Sequence, residues 1–413
     1  MRNKAIATSY PKEKIRILLL ENIHASAAEV FRQHGYTSVT GMKQALEEDE
    51  LLKHAAGIHL LGIRSKTRLS KTFFEKSPKF IAAACFCIGT NQVNMESATA
   101  NGVAVFNSPY SNTRSVAELV IAHCIWLMRG ITDKNNAAHR GEWKKETKNS
   151  HEVRGKTIGI IGYGHIGSQV SVMAEGLGMH VLFYDIIPRL ALGNAQPVKS
   201  TEELCRRSDV VTLHVPSSAS TRNMVNEIFL RKMKKGAMLI NLSRGDVVDL
   251  TALRDAIISG QTGGAALDVF PAEPDSNLQP FKTPVQGLPN VILTPHIGGS
   301  TEEAQQQIGT DAAMRMVQYL ESGNSTGSLS VPELSLPLQH EAHRLLHIHR
   351  NVPGVLGDIN GTLSSMKMNI LGQYLKTNER IGYVVFDVDK KHTRSIVDDL
   401  KKIKHTIKVR SLY

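Results

Sequence analysis

The sequence predicts an α/β protein: two doubly wound parallel-sheet domains followed by a C-terminal βαββαβ, ferredoxin-like domain. Three observations lead there. Short β-branched runs alternate with helix-length segments, the pattern of parallel strands joined by crossover helices. These runs fall into two series, separated by a helix-length stretch after Ser115. A Gly-, Ser-, Thr- and Pro-rich stretch then precedes a last segment of about seventy residues that reads strand, helix, strand, strand, helix, strand.

The first series has strand candidates at residues 15–20, 58–63, 80–84 and 103–106, with helical segments such as 25–34 between them. The second has six, at 157–161, 181–184, 210–215, 238–242, 265–269 and 291–294. Six such strands make a full dinucleotide-binding sheet. Residues 322–339, with Gly323-Asn324-Ser325-Thr326-Gly327-Ser328, Pro332 and Pro337, read as a linker. The last segment places strands at 344–349, 369–376, 383–389 and 407–412 and helices at 355–366 and 393–403.

Composition narrows the function classes. The 413 residues, 41% hydrophobic and 21% charged, suit a globular protein of two or three domains. Cys85, Cys87, Cys124 and Cys205 lie in apolar contexts, which suggests buried thiols in a reducing compartment; no metal-ligand spacing accompanies them. The first thirteen residues carry no apolar signal core, and the longest apolar run, 116–128, is too short for a bilayer and contains Glu118 and His123. A cytoplasmic protein without a membrane segment is expected. The net charge of +11 comes from scattered basic residues without aromatic interleaving, which fits anionic small substrates and not nucleic acid.

Gly162-Tyr163-Gly164-His165-Ile166-Gly167 is a G-x-G-x-x-G between an apolar strand and a helix, with a second strand ending at Asp185. Glycines there allow a tight turn and close approach of a pyrophosphate to a helix N-terminus. Asp185 can accept from ribose hydroxyls and would repel a 2′-phosphate. Ile186, not Arg, follows it, so NAD is favoured; Arg189 nearby leaves NADP open. Ligands in such sheets bind beyond the carboxyl ends of strands. Arg64, Gly162, Asp185, His214, Arg244, Asp268 and His296 all fall there.

Three segments carry candidate chemistry: Asn241-Leu242-Ser243-Arg244-Gly245, Asp268-Val269-Phe270-Pro271-Ala272-Glu273-Pro274 and Thr294-Pro295-His296-Ile297-Gly298-Gly299. Oxidising a 2-hydroxy acid needs a cation on the carboxylate, a base for the hydroxyl proton and a carboxylate to orient that base. Arg244, His296 and Glu273 are of these types.

With the glycine fingerprint, these segments resemble the signature regions of the D-2-hydroxyacid dehydrogenase family, over residues 15 to 322. The resemblance implies that Arg244, Glu273 and His296 form a catalytic trio. It implies cofactor contacts at Gly162, Gly164, His165, Ile166, Gly167, Asp185, His214, Asp268 and Gly299. It further implies a split, flavodoxin-like substrate domain (1–111 and 299–330), a Rossmann NAD domain (112–298) and an active site in the cleft between them. A linker (331–340) and a C-terminal domain (341–413) complete the expected organisation.

Arg64-Ser65, Asn112-Thr113-Arg114-Ser115-Val116-Ala117-Glu118, the run from Cys85 to Val93 and His139-Arg140-Gly141-Glu142-Trp143 resemble the branch that converts 3-phosphoglycerate to 3-phosphohydroxypyruvate at the start of serine synthesis. Arg64, Ser65, Asn112, Lys43 and Lys145 are then candidates for holding the substrate, with Lys66 beside them. The last segment resembles an ACT domain. By that resemblance His349, Asn351 and Asn369 would hold L-serine as an inhibitory effector at an interface between subunits, in a homotetramer. Serine-inhibited relatives can carry a Gly-Gly hinge before this domain; here residues 338–344 read Leu-Gln-His-Glu-Ala-His-Arg. Two alternatives stay open: the same chemistry on glycerate, lactate or 2-hydroxyglutarate, or an NAD-sensing corepressor.

Overall fold

The structure, a computed structural model, describes residues 10–274, 278–337, 342–389 and 395–412. The chain forms two compact units, Met1–Ser111 with Gln305–Tyr413, and Asn112–Ala304.

The first unit begins with β1 (Ile17–Leu19), β2 (Val39–Gly41), β3 (Leu60–Ile63), β4 (Ala82–Cys85) and β5 (Ala104–Asn107). They form a parallel sheet ordered β2-β1-β3-β4-β5. Nearly every residue of β1, β3, β4 and β5 is buried, because crossover helices cover both faces. β2 was not among the expected strands. It is three residues long, sits at the sheet edge and buries none of them fully, so it carries no hydrophobic signal.

The second unit holds β6 (Thr157–Ile161), β7 (His180–Tyr184), β8 (Gln196–Pro197), β9 (Val210–Leu213), β10 (Ala237–Asn241), β11 (Thr262–Leu267) and β12 (Val291–Leu293). Their parallel order is β12-β11-β10-β9-β6-β7-β8. The order reverses between β6 and β9, which opens a crevice at their carboxyl ends. The helix Thr113–Arg129 packs Val116, Val120, Cys124 and Leu127 into the core under β6 and β10. Gly130, in the left-handed region, ends it. No single helix among the described residues is long and apolar enough to cross a membrane. Only the pair Thr113–Arg129 and Ile131–His139, bent by 71°, passes by length and composition.

The chain then returns to the first unit through the helix Glu302–Ser322. β13 (His343–Arg350), β14 (Ile370–Thr377), β15 (Ile381–Val388) and β16 (Thr406–Ser411) form an antiparallel sheet ordered β14-β15-β13-β16. With the helices Val355–Ser365 and Ser395–Lys402 this is the expected βαββαβ order.

The central strands β13 and β15 are buried on both faces of this sheet. Leu345, Val384 and Phe386 pack under its own helices with Ile359, Leu363 and Leu400. The alternate residues Leu346, Ile348, Tyr383 and Val385 join the core of the first sheet, beside Phe106, Tyr319, Leu320 and Val331. Arg344 and Asp387, both fully buried, form a two-pronged pair with Nε–Oδ1 and Nη2–Oδ2 at 2.7 Å. Arg344 also donates to the carbonyls of Ser322 and Pro337.

The described part of the expected linker is likewise built in. Leu329 N–H donates to Val105 O, and Val105 N–H donates to Ser330 Oγ, which itself donates to Val103 O. Ser325 Oγ donates to Pro332 O and accepts from Leu334 N–H. Turn-forming residues here satisfy buried backbone groups alongside β5, so the composition of a linker conceals a packed segment. Residues 338–341, where a hinge would lie, are outside the described residues.

Candidate active site

The glycine turn after β6 has the shape its sequence demands. Gly162 has φ +93°, and a Cβ there would meet His214 O at 2.6 Å. A Cβ on Gly167 would meet Gly162 O at 2.3 Å, so this glycine lets the helix His165–Gly176 approach the strand. Around Gly164 a Cβ would meet nothing within 4 Å. That open space lies at a helix N-terminus without a side-chain cap, where backbone N–H groups are available to an anion. His165 is exposed at this end and Ile166 half-buried. Asp185, after β7, accepts from Tyr163 N–H (2.8 Å) and Ile187 N–H (3.0 Å). Arg189 Nε lies 3.6 Å from the same carboxylate, so this cation is turned toward Asp185. Strand, cradle and acid thus fit a dinucleotide.

His214 follows β9. Burial drives its pKa down to about 3, so the ring is neutral. Thr212 Oγ1 lies 3.1 Å from its Nε2. Asn112 caps the helix Thr113–Arg129 without a side-chain hydrogen bond to it, and a Cβ on Gly299 would meet Asn112 Nδ2 at 2.3 Å. Asn112 and Gly299 therefore touch.

Three loops beyond β10, β11 and β12 converge. Asn241, fully buried, accepts from Ser243 N–H and Oγ through Oδ1 and donates to Arg244 O through Nδ2, which fixes the turn carrying Arg244. A Cβ on Gly245 would meet the Phe270 carbonyl carbon at 2.0 Å, so only glycine lets this turn lie against the loop of Glu273. Glu273 Oε1 accepts from Phe270 N–H (3.0 Å), and its Oε2 lies 2.8 Å from His296 Nδ1.

His296 has φ +54°, a strained position for a non-glycine residue. Asp268 holds it there. That carboxylate is buried, and it accepts from Thr294 Oγ1 (2.6 Å), Ile297 N–H (2.8 Å) and Gly298 N–H (2.7 Å). Three hydrogen bonds compensate its desolvation and brace the residues around His296. Asp268, a candidate for cofactor contact, thus also braces this loop, and its Oδ2 accepts from Gly298 N–H. Asn241 and Gly245 also shape the site, and the sequence 241–245 that contains them is the one signal that could mark them.

Electrostatics follow from the geometry. The hydrogen bond that His296 donates to Glu273 raises the His296 pKa above its ordinary value; burial and Arg244 oppose this, and the charges of Glu273 and Asp268 assist. Burial pushes the Glu273 carboxyl up, but His296, Phe270 N–H and Arg244 outweigh it and the net shift is downward. With Nδ1 engaged by a carboxylate, Nε2 is the nitrogen left for a reactant.

The other predicted residues belong to other elements. Arg64 is half-buried and Ser65 exposed, in the loop after β3. Glu21, at φ +60°, holds that loop by accepting from Lys66 N–H (3.0 Å) and Thr67 N–H (2.8 Å), a support the sequence did not announce. Lys43 and Lys145 are exposed. In the C-terminal sheet, the His349 ring covers Gly382, and Asn351 Nδ2 donates to Asn378 O. Asn369 precedes β14 at the opposite end of the same sheet. Eight-residue strands separate the two ends by about 25 Å. One chain therefore does not bring His349 and Asn351 together with Asn369.

Residues 121–298 match the NAD-binding domain model of the D-isomer specific 2-hydroxyacid dehydrogenases, and residues 345–408 match an ACT domain of the AHAS small subunit-like kind. D-3-phosphoglycerate dehydrogenase of Haemophilus influenzae is 49% identical over 413 residues, covering 100% of both chains. That of Escherichia coli K12 is 47% identical over 98% of this chain and 99% of its own. The solved structure of D-2-hydroxyisocaproate dehydrogenase aligns with TM-score 0.70 and 25% identity, over 76% of this chain and 100% of that one. A three-loop site on an NAD-binding sheet, an ACT domain and full-length relatedness agree: the chain belongs to the D-3-phosphoglycerate dehydrogenases, within the D-isomer specific 2-hydroxyacid dehydrogenase family.

Proposed function

We propose that this chain oxidises 3-phosphoglycerate to 3-phosphohydroxypyruvate in the cytoplasm, as a homotetramer, and that L-serine inhibits it through the ACT domain. The observation that carries the chemistry is the 2.8 Å pair of His296 and Glu273 on loops that also present Arg244. Bound NAD supplies the hydride acceptor. His296 Nε2 takes the hydroxyl proton as the C2 hydrogen leaves, and Glu273 stabilises the resulting imidazolium. Arg244 holds the substrate carboxylate and polarises the C2 oxygen. Gly162, Gly164, His165, Ile166 and Gly167 cradle the pyrophosphate, Asp185 takes the ribose hydroxyls, and His214, Asp268 and Gly299 line the remainder of the cofactor site. Arg64, Ser65 and Asn112 engage the substrate, with Lys43 and Lys145 as further cations for its phosphate. The ~25 Å between Asn369 and the His349–Asn351 pair supports a serine site shared by two subunits, each giving one end of its sheet.

The deciding assay is NADH-linked turnover of 3-phosphohydroxypyruvate with and without L-serine. Turnover suppressed by serine is expected. Turnover indifferent to serine removes the effector, and no turnover removes the substrate.

The raised His296 pKa sets a pH dependence. Oxidation needs the neutral ring, so kcat/KM for the hydroxy acid should rise as pH climbs through a midpoint above 6.5. Reduction needs the imidazolium and should fall through the same midpoint. Glu273→Gln removes the main raising influence and should move both midpoints to lower pH. Midpoints unchanged in the variant would show that another group titrates.

A further inference from the structure

Within the first unit, two adjoining cavities share Tyr10, His59 and Lys79. One, of about 1000 Å³, lies at the amino ends of β1, β2 and β3 and is lined by Arg16, Lys53 and Lys79. The other, of about 530 Å³, runs along the seam between the first sheet and β16 and is lined by Lys79, Lys408 and Arg410. Neither lies at the carboxyl ends of the strands, where the candidate active-site residues sit.

Their charge is one-sided. Among the described residues no carboxylate comes within ion-pair distance of Arg16, Lys53, Lys79, Lys408 or Arg410. Glu13 lines the larger cavity, and Glu321 near the smaller one is engaged by Lys12 and His34. The nine residues before Tyr10 include Arg2 and Lys4 but no acid. Gly57 leaves room for Arg16, whose Nη1 would stand 2.9 Å from a Cβ there. Arg410 Nη1 is buried without a hydrogen-bond partner among the described residues. Lys408 Nζ, 2.6 Å from Phe80 O, is fixed beside it. His59 lines both cavities, the larger with Arg16 and Lys79 and the smaller with Lys79 and Arg410; burial first, then the charges of Lys79, Arg16 and Arg410, push its pKa down. Burial and Arg410 lower Lys408 to about 7.

Cations brought together without counter-charge repel one another, and the arrangement gains most from a ligand that meets several at once. Guanidinium and ammonium groups recognise phosphate oxygens. We infer that this seam binds a small polyanion of the di- or triphosphate kind, held by Arg16, Lys53 and Lys79 on the first sheet and by Lys408 and Arg410 on the C-terminal sheet. Such a ligand bridges the two sheets and so stiffens the attachment of the ACT domain.

The test is calorimetric titration of the full chain with inorganic pyrophosphate, repeated on Arg16→Gln/Lys79→Gln and on Arg64→Gln. Arg16 and Lys79 are exposed, so their replacement spares the fold. Binding that the double variant weakens by roughly tenfold or more, and that Arg64→Gln leaves unchanged, is expected. Absence of binding to the unmodified chain overturns the inference. So does binding that only Arg64→Gln weakens, which would place the anion with the substrate residues.

Discussion

His296→Asn should lower turnover in both directions by about two to four orders of magnitude, the usual loss when a positioned acid–base group is removed. NAD affinity should change little, since the glycine cradle and Asp185 lie on other strands of the sheet. Asn suits the experiment better than Ala because it tolerates the left-handed backbone at φ +54°. The loop braced by Asp268 then stays in place, and the loss reports proton transfer. Steady-state kinetics beside a fluorescence titration of the dinucleotide separates the two effects. Near-normal turnover would remove His296 from the chemistry.

The largest effect on stability is expected at Asp387. Its removal would leave the Arg344 guanidinium buried without its partner carboxylate, at a cost of about 3–5 kcal/mol. Asp387→Ala should therefore shift chemical denaturation strongly, with the C-terminal sheet lost first. Removing both charges, as Arg344→Met/Asp387→Leu, should recover much of the loss, because an apolar pair of similar volume avoids the desolvation of two ions. Arg344 also binds the carbonyls of Ser322 and Pro337, so recovery should be incomplete. A loss under about 1 kcal/mol for the single variant would show that water reaches the pair.

Much of this was legible because each signal was local. Six strands of the dinucleotide sheet carry dense apolar runs, and the cradle needs glycine at particular dihedrals, so both are written into short windows. What stayed hidden depends on partners distant in sequence. β2 is a strand only because β1 offers an edge to it. Residues 325–334 resemble a linker until Val103 and Val105 provide the groups their serines satisfy. Asp268 also braces residues 294, 297 and 298, a role that no pattern within its own segment could disclose. The serine candidates show the same limit on a larger scale, since Asn369 and Asn351 occupy opposite ends of one sheet.

The backbone at residue 296 sets thermodynamic selection against chemical selection. Glycine there would relieve a conformation that costs an L-residue about 1 kcal/mol or more, so histidine persists only while its ring is used. In a lineage released from turnover, drift should carry this codon toward glycine while the cradle at Gly162, Gly164 and Gly167 stays under selection for the dinucleotide. A descendant with glycine at 296 and an intact cradle would be recognisable from its sequence as a sensor of the dinucleotide that has ceased to consume it.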